Sequence, residues 1–258
     1  MPVVTLTTDF GNESYYVAAL KGSLLRLIPG VSLVDLSNNI PPFAIAQAAF
    51  LLRNAWPSFP QGTIHLIGID IDVNLYGQYL LVEKDGQFFI GADNGIFALL
   101  FDELPERVFR INRFYDHRSD SFAGHHVFAQ AAAALVHSGN PEAIGVPAAI
   151  KNQKEHFKPT VDAGSIRGHV VYVDSYGNVI TNISEPMFEE VGRGRRFRIR
   201  FRRTEELDRL SSNYSDVPPG ERLCIFGASG FLEIAMNRGE AAQLLGLKPG
   251  SVILIEFV

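Results

Sequence analysis

The sequence predicts a mixed α/β protein: an N-terminal α/β domain with a mostly parallel sheet, residues 1–157, and a smaller C-terminal β domain, residues 165–258. Strand-like apolar runs alternate with helical periodicity in the first part, which favours a parallel sheet covered by helices on both faces. Short strands separated by glycine and proline turns fill the second part, as in a small β-barrel or sandwich. Residues 152–167 are irregular and charged, which is typical of a domain boundary.

The composition is that of a globular protein without a general affinity for polyanions. The chain has 258 residues, of which 47% are hydrophobic, and a formal net charge of -5. Its single cysteine, Cys224, cannot form an intrachain disulfide, which favours a reducing compartment. The N-terminus lacks a basic leader, and no apolar run reaches the ~18 residues of a membrane span. We therefore expect a soluble, cytoplasmic protein that does not bind a membrane.

The N-terminal elements alternate between strands and helices. A buried first strand begins at Val3 and runs into Asp9 and Gly11. A hairpin is predicted around Asp85 and Gly86, because a type I′ turn needs a positive φ at both central residues. The other predicted ranges are helix 15–28, strand 31–36, helix 43–56, strand 63–69, hairpin strands 79–83 and 87–90, and helices 96–101 and 125–137. The polar turn 93–95 is interpreted mainly as a turn with a helix cap.

Polar side chains follow the predicted parallel strands where each strand ends. Ligands of open α/β sheets bind at this carboxyl edge, where Asp9, the turn 37–42 and Asp70 would gather. Asp9 is either a ligand-binding residue or the N-cap of the helix that starts near Tyr15. Asp70 and Asp72 would alternate along the strand end and face opposite ways, so Asp70 with Asp9 is the better carboxylate pair.

The C-terminal pattern predicts strands 170–173, 179–183, 196–202, 223–226, 231–235 and 252–258, with one short helix at 239–245. Residues 193–203 carry seven arginines. Phe197, Ile199 and Phe201 would share one face of this strand, opposite the arginines. We interpret it as a half-buried strand with a solvated or subunit-facing arginine side, because acidic residues follow at once. RNA or partner binding through these arginines is the alternative, and nucleic acid is not the expected ligand.

Several common site motifs are missing from the sequence. It contains no phosphate loop, no Gly-x-Gly-x-x-Gly after the first strand and no Gly-x-Ser-x-Gly elbow. His125 and His126 are adjacent, whereas metal-binding helices space their histidines by three or four residues, so we expect no metal site.

Residues 174–182 place a carboxylate, an aromatic ring and two carboxamides within nine residues. A ring stacks on a purine, and a carboxamide offers both a donor and an acceptor to the edge of a base. The segment therefore suits a purine nucleoside. The alternative is a polar turn in which Gly177 supplies the positive φ.

Together these motifs resemble the S-adenosyl-L-methionine hydroxide adenosyltransferases, or S-adenosylmethionine hydrolases, which are related to fluorinase and chlorinase. The likeness runs along essentially the whole chain. It is carried, in order, by residues 6–11 (LTTDFG), 16–22 (YVAALKG), 40–43 (IPPF), 93–95 (DNG), 174–178 (DSYGN), 181–182 (TN) and 229–235 (SGFLEIA).

The resemblance implies a C-terminal β-barrel and a homotrimer that holds S-adenosyl-L-methionine, as substrate and without any cofactor, between neighbouring subunits. Asp9 would bind the ribose hydroxyls, and Phe43 would flank the ligand. In the C-terminal domain, Asp174 would contact the methionine amino group. The remaining substrate-binding residues implied by the resemblance are Tyr176 and Tyr214, which pack on adenine, Asn178, which reads its edge, and Ser229.

The family positions the attacking water with an aspartate, an arginine and a histidine, and this sequence matches only the aspartate, Asp70. Gly77 stands at the arginine position and Ala123 at the histidine position. Three explanations stay open. His125 takes over from the missing histidine as a catalytic residue beside Asp70, or a related nucleoside is cleaved, or an adenosyl ligand is bound without turnover.

Overall fold

The computed structural model describes residues 1–72, 76–105, 107–114, 124–154, 158–202 and 205–258. The chain divides into two compact units, Met1–Glu155 and His156–Val258.

The N-terminal unit is built on a seven-stranded sheet with the order β2-β1-β3-β5-β4-β6-β7. β2, β1, β3 and β5 run parallel to one another, β4 runs antiparallel to β5 and β6, and β7 runs antiparallel to β6. Five strands therefore share one direction, so the unit has the mixed α/β character that the sequence predicts. The strands are β1 (Val3–Thr8), β2 (Ser32–Ser37), β3 (Ile64–Gly68), β4 (Tyr79–Lys84), β5 (Gln87–Ala92), β6 (Arg107–Ile111) and β7 (Gly145–Pro147).

Helices cover both faces of this sheet. Val4 and Leu6 of β1 belong to a buried cluster with α1 (Tyr15–Leu27) and α4 (Ala129–Ser138). Ile67 of β3 belongs to a second cluster with α2 (Ile45–Ala55) and α3 (Ile96–Leu100). The alternation of side chains along each strand thus supplies two cores, one on each face of the sheet.

The N-cap of α1 and the first residue of α2, which both lie at the carboxyl edge of the sheet, differ from those that the sequence suggests. Ser14 is the N-cap of α1, and its side chain accepts a hydrogen bond from the Tyr16 backbone N–H at 3.2 Å, so Asp9 is not the cap. α2 begins at Ile45 and not at residue 43, because Phe43 adopts a left-handed backbone with φ 65°. Short 3-10 helices occupy Trp56–Ser58, Pro141–Ala143 and Tyr214–Asp216.

The C-terminal unit is an antiparallel sheet with the order β12-β11-β15-β9-β10-β14-β13, in which β8 also pairs with β9. The strands are β8 (Thr160–Asp162), β9 (Ser165–Val173), β10 (Val179–Ser184), β11 (Phe197–Arg202), β12 (Glu205–Leu207), β13 (Arg222–Phe226), β14 (Phe231–Met236) and β15 (Val252–Phe257). The first half of β9 pairs with β15 and the second half with β10. A single core includes Ile199 and Ile255 from one half and Val179 and Ile234 from the other, which gives the sheet a barrel-like form.

The sequence did not reveal the helix α5 (Glu185–Gly192), so the expectation of one helix in this unit is wrong. Its start carries recognisable signals: Ser184 caps it by accepting a hydrogen bond from the Met187 N–H at 3.4 Å, and Pro186 lies in its first turn. The second helix, α6, spans Ala241–Leu245.

The arginine-rich strand has the two faces that its alternation predicts. Ile199 and Phe201 of β11 are buried in the core. Arg200 points the other way and pairs with Glu206 at 3.6 Å and Glu256 at 3.0 Å. The outward face therefore mixes both signs of charge.

The longest helix of the described residues, α1, has 13 residues. No described helix combines the length and the hydropathy needed to cross a bilayer.

Candidate active site

The Asp9 carboxylate joins three segments at the carboxyl edge of the N-terminal sheet. Its Oδ2 atom accepts the backbone N–H of Phe43 at 3.0 Å and that of Asp70 at 3.2 Å. Both donors have left-handed backbones, with φ 65° for Phe43 and φ 46° for Asp70. Such conformations cost energy in residues other than glycine, and charge-assisted hydrogen bonds help to offset that cost.

The structure thus brings together three of the residues predicted for the site, Asp9, Phe43 and Asp70. The expected alternation of Asp70 and Asp72 along a strand end is wrong, because β3 already ends at Gly68. Asp9 is fixed beside that end, where its backbone N–H donates to the Gly68 carbonyl at 3.1 Å. The Phe43 side chain is 71% exposed and is open to a ligand at this edge.

Asn94 holds the backbone that carries Asp70. Its Nδ2 atom donates to the carbonyls of Ile69 at 2.8 Å and Asp70 at 3.2 Å, and its Oδ1 accepts the Ile96 N–H at 3.1 Å. Asn94 is almost fully buried. The N-cap of α3 is Gly95, and Asn94, the residue before it, ties the start of this helix to the backbone of Asp70, a link that the sequence did not reveal.

Two tyrosine hydroxyls hold the loop after β3. Tyr76 donates its hydroxyl hydrogen to Asp70 Oδ2, and Tyr79 donates to the Ile71 carbonyl at 2.8 Å. Burial, the hydrogen bond to Asp70 and the charges of Asp70 and Asp72 raise the pKa of Tyr76 to about 12. The Tyr76 phenol therefore stays protonated at neutral pH and remains a donor to the carboxylate.

In the C-terminal unit, the Asp174 carboxylate organises a tight turn. Its Oδ1 accepts the backbone N–H groups of Tyr176 at 2.9 Å and Asn178 at 2.8 Å, and its Oδ2 accepts Asn178 Nδ2 at 3.0 Å. Gly177 adopts φ 77°, as the turn interpretation predicts. The turn leaves the Tyr176 ring 77% exposed, whereas Asn178 is only 7% exposed.

Tyr214, also in the C-terminal unit, is bound by a carboxylate that the sequence analysis did not single out. Its hydroxyl donates to Glu233 Oε1 at 2.6 Å. Burial, this hydrogen bond and the charges of Glu233 and Asp174 raise the pKa of Tyr214. Burial also raises the pKa of Glu233, and the Asp174 charge acts in the same direction. Tyr214 and Glu233 are therefore a hydrogen-bonded pair that feels the charge of Asp174. The only sequence signal for Glu233 is its place within residues 229–235.

Ser229 lies half-buried in the turn between β13 and β14, which the Gly230 N–H closes by donating to the Gly227 carbonyl at 2.9 Å. The hydrogen bonds of the described residues do not connect it to Asp174. The His125 side chain lies outside the described part, although residues Gly124–Phe128 form a π-helical turn before α4. Ala123, which stands at the family's histidine position, also lies outside it, whereas Gly77 at the arginine position is described. Within the described ranges, no group of three histidines, cysteines or carboxylates is placed to hold a metal ion.

Each unit, taken by itself, carries groups of the kind that nucleoside-binding α/β proteins use: carboxylates in the N-terminal unit, and a buried carboxamide with exposed rings in the C-terminal unit. Two family models define the class further: the S-adenosylmethionine (SAM) hydroxide adenosyltransferase N-terminal domain matches residues 4–145, and the C-terminal domain of the same family matches residues 168–254. The chain belongs to this family.

Relatives align over nearly their whole length. The chain is 34% identical to an (R)-S-adenosyl-L-methionine hydrolase of Thermus thermophilus, covering 97% of this chain and 98% of the relative. It is 27% identical to an enzyme of the same name from Methanocaldococcus jannaschii, covering 96% and 93%. A fluorinase of an Actinoplanes species is more distant, at 21% identity over 98% of this chain and 97% of the relative.

Solved structures share the fold. An uncharacterized conserved protein from Thermotoga maritima superimposes with a TM-score of 0.86 at 29% identity, covering 98% of this chain and 99% of the other. A conserved hypothetical protein from Thermus thermophilus gives a TM-score of 0.73 at 27% identity, with full coverage of both chains.

Proposed function

We propose that this protein hydrolyses S-adenosyl-L-methionine to adenosine and L-methionine. The observation that carries the proposal is the junction in which one oxygen of Asp9 binds the N–H groups of Phe43 and Asp70. It holds Asp9, which we assign to the ribose, and Asp70, which we assign to the attacking water, at a single edge of the sheet. Relatives named for this reaction, at 27–34% identity over nearly the whole chain, support the assignment.

The reaction does not require a general acid to protonate the leaving group. The oxygen of water attacks the ribose C5′, the C5′–S bond breaks, and its electron pair goes to sulfur, which becomes the neutral thioether of methionine. The water proton is released. Because the sulfonium is already a good leaving group, the protein must mainly align the water and remove it from bulk solvent. Asp70 would accept a hydrogen bond from this water and receive its proton.

The binding roles follow the family pattern. We assign the ribose hydroxyls to Asp9, the side of the ligand to Phe43 and the methionine end to Asp174 and Ser229. We assign the adenine faces to Tyr176 and Tyr214 and the adenine edge to Asn178. Asn178 Nδ2 donates to Asp174, which leaves Oδ1 to accept from an exocyclic amino group.

The remaining expectations belong to the same proposal. We assign His125 as the second catalytic residue, in place of the missing family histidine. We further propose the domain limits 1–157 and 165–258, a closed C-terminal β-barrel, a cytoplasmic location and a homotrimer with the ligand between neighbouring subunits. No cofactor enters the reaction.

Incubation of the purified protein with S-adenosyl-L-methionine, followed by chromatography, tests the function. We expect adenosine and methionine in equal amounts. Asp70→Asn should lower the rate by roughly 100-fold or more, as expected when a proton acceptor is lost. Asp72→Asn, which removes an exposed carboxylate two residues away, is the matched control and should keep most of the activity.

Absence of adenosine above a heat-inactivated sample, across a range of pH, would exclude the activity. Calorimetric titration with adenosine then separates two remaining cases. Binding without turnover identifies a non-catalytic adenosyl-ligand protein, and no binding rejects the nucleoside site altogether.

A further inference from the structure

We propose that Tyr76 is a positioning residue for Asp70, whose hydroxyl fixes one carboxylate oxygen so that the other is aimed at the attacking water. This inference rests on the proposed hydrolase function. It assigns a role to a residue that neither the sequence motifs nor the family pattern singles out.

The hydroxyl contact completes a set of restraints on Asp70. The backbone N–H of Asp70 donates to Asp9, its carbonyl accepts from Asn94, and its side-chain Oδ2 accepts from Tyr76. Backbone, carbonyl and carboxylate are thus all held, and the hydrogen bonds of the described residues leave Oδ1 open. A carboxylate restrained in this way keeps a fixed orientation toward a reacting atom, which is what alignment of a nucleophile requires.

The protonation state of Tyr76 suits a donor and not a base. Burial and the neighbouring carboxylates raise its pKa to about 12, so the phenol keeps its proton throughout the neutral range. The Tyr76 hydroxyl is therefore a donor to Oδ2 throughout this range.

A neutral partner has an electrostatic consequence for this substrate. A cationic partner would cancel the charge of Asp70, whereas Tyr76 supplies a hydrogen bond without adding charge. The sulfonium of the substrate is a cation, and an uncompensated carboxylate attracts it.

Tyr79 provides a comparison within the same loop. Its ring is buried in the core at 2% exposure, and its hydroxyl donates to the backbone carbonyl of Ile71. Removal of the Tyr79 hydroxyl therefore weakens the loop, whereas removal of the Tyr76 hydroxyl frees the carboxylate itself.

A double-mutant cycle tests the proposal, with adenosine formation from S-adenosyl-L-methionine as the readout. We expect Tyr76→Phe to lower kcat by about 10- to 100-fold, as for a lost hydrogen bond to a charged group, with KM changed by less than about threefold. In the Asp70→Asn background, Tyr76→Phe should have almost no further effect, because its partner is already altered. Tyr79→Phe should lower the unfolding free energy and change kcat much less.

Two results would overturn the proposal while leaving the hydrolase function intact. One is a multiplicative cycle, in which Tyr76→Phe lowers kcat equally with and without Asp70. The other is an equal loss of kcat and of stability in Tyr76→Phe and Tyr79→Phe, which assigns the effect to the loop fold. If the wild-type protein forms no adenosine, the proposed hydrolase function itself is rejected, and the cycle does not apply.

Discussion

Asp9 has a structural role that the structure shows and a ligand role that we propose. Its Oδ2 binds two backbone N–H groups of residues in left-handed conformations, and the hydrogen bonds of the described residues leave Oδ1 open to the ribose that we assign to it. One carboxylate oxygen therefore holds the loops, and the other is available to the ligand. Loss of the carboxylate should therefore affect the loops and the ligand separately, depending on which oxygen the replacement preserves.

We expect Asp9→Asn and Asp9→Ala to separate these roles. The asparagine oxygen can still accept both N–H groups, so its unfolding free energy in urea should stay close to wild type, whereas alanine should cost about 1–3 kcal/mol. Both variants lose the charged acceptor for the ribose and should weaken adenosine binding roughly tenfold or more in calorimetric titration. Wild-type affinity for adenosine in Asp9→Ala would contradict the ligand role.

The sequence predicts where a single residue lies in the fold better than it predicts which side chains that residue contacts. The meeting of Asp9 and Asp70 follows from a simple rule, because the carboxyl ends of parallel strands share one edge. The contacts of Tyr76 and Glu233 do not follow from such a rule. Tyr76 and Asp70 are six residues apart in sequence, and Tyr214 and Glu233 are 19 residues apart.

At the scale of elements, the central strands of the N-terminal sheet are joined by a buried polar chain. His65 of β3 pairs through Nδ1 with Thr5 Oγ1 of β1 and through Nε2 with Gln87 Oε1 of β5, each at 2.7 Å. Its ring also stacks on Phe89 at 4.7 Å. Because both ring nitrogens are satisfied in an apolar setting, the neutral imidazole is the form that fits the fold.

The buried, neutral His65 predicts that the free energy of unfolding falls in acid. Burial lowers the pKa of His65 to about 4, although its hydrogen bond to Gln87 acts in the opposite direction. The unfolded chain therefore binds a proton near pH 6.5 that the folded protein resists until about pH 4. The contribution of His65, roughly 3 kcal/mol, is present above pH 6.5 and is lost as the pH falls through this window.

Urea unfolding of His65→Gln at several pH values checks this expectation. The variant should show a shallower fall of unfolding free energy between pH 6.5 and pH 4 than wild type. His137→Gln, which changes an exposed histidine in α4, is the control and should follow the wild-type curve. An unchanged slope in His65→Gln would contradict a buried neutral imidazole.

Elements with strong periodicity were predictable, and short ones were not. The range 15–28 matches α1 within one residue, and the Asp85-Gly86 hairpin has the positive φ values that its turn needs, 51° and 73°. α5 was missed because its eight residues carry only Phe188 and Gly192 to the interior, too few to produce a helical pattern. The strands β8 and β12, with three residues each, are equally short signals.

At the scale of the whole molecule, the family follows from the order of the motifs along the chain, whereas the chemistry depends on departures from the pattern. Gly77 and Ala123 stand where the family has an arginine and a histidine. Tyr76 supplies a hydrogen bond to Asp70 in this chain. We therefore propose that this protein activates water with a reduced set of polar groups around a single oriented carboxylate, that of Asp70.

The most direct measurement is the reaction of the wild-type protein with S-adenosyl-L-methionine in water enriched in oxygen-18, with mass spectrometry of both products. Attack of water at C5′ predicts adenosine that carries one oxygen-18 atom at its 5′ hydroxyl, together with unlabelled methionine. Unlabelled adenosine, or no adenosine at all, would contradict the central claim that this protein directs water to the ribose carbon.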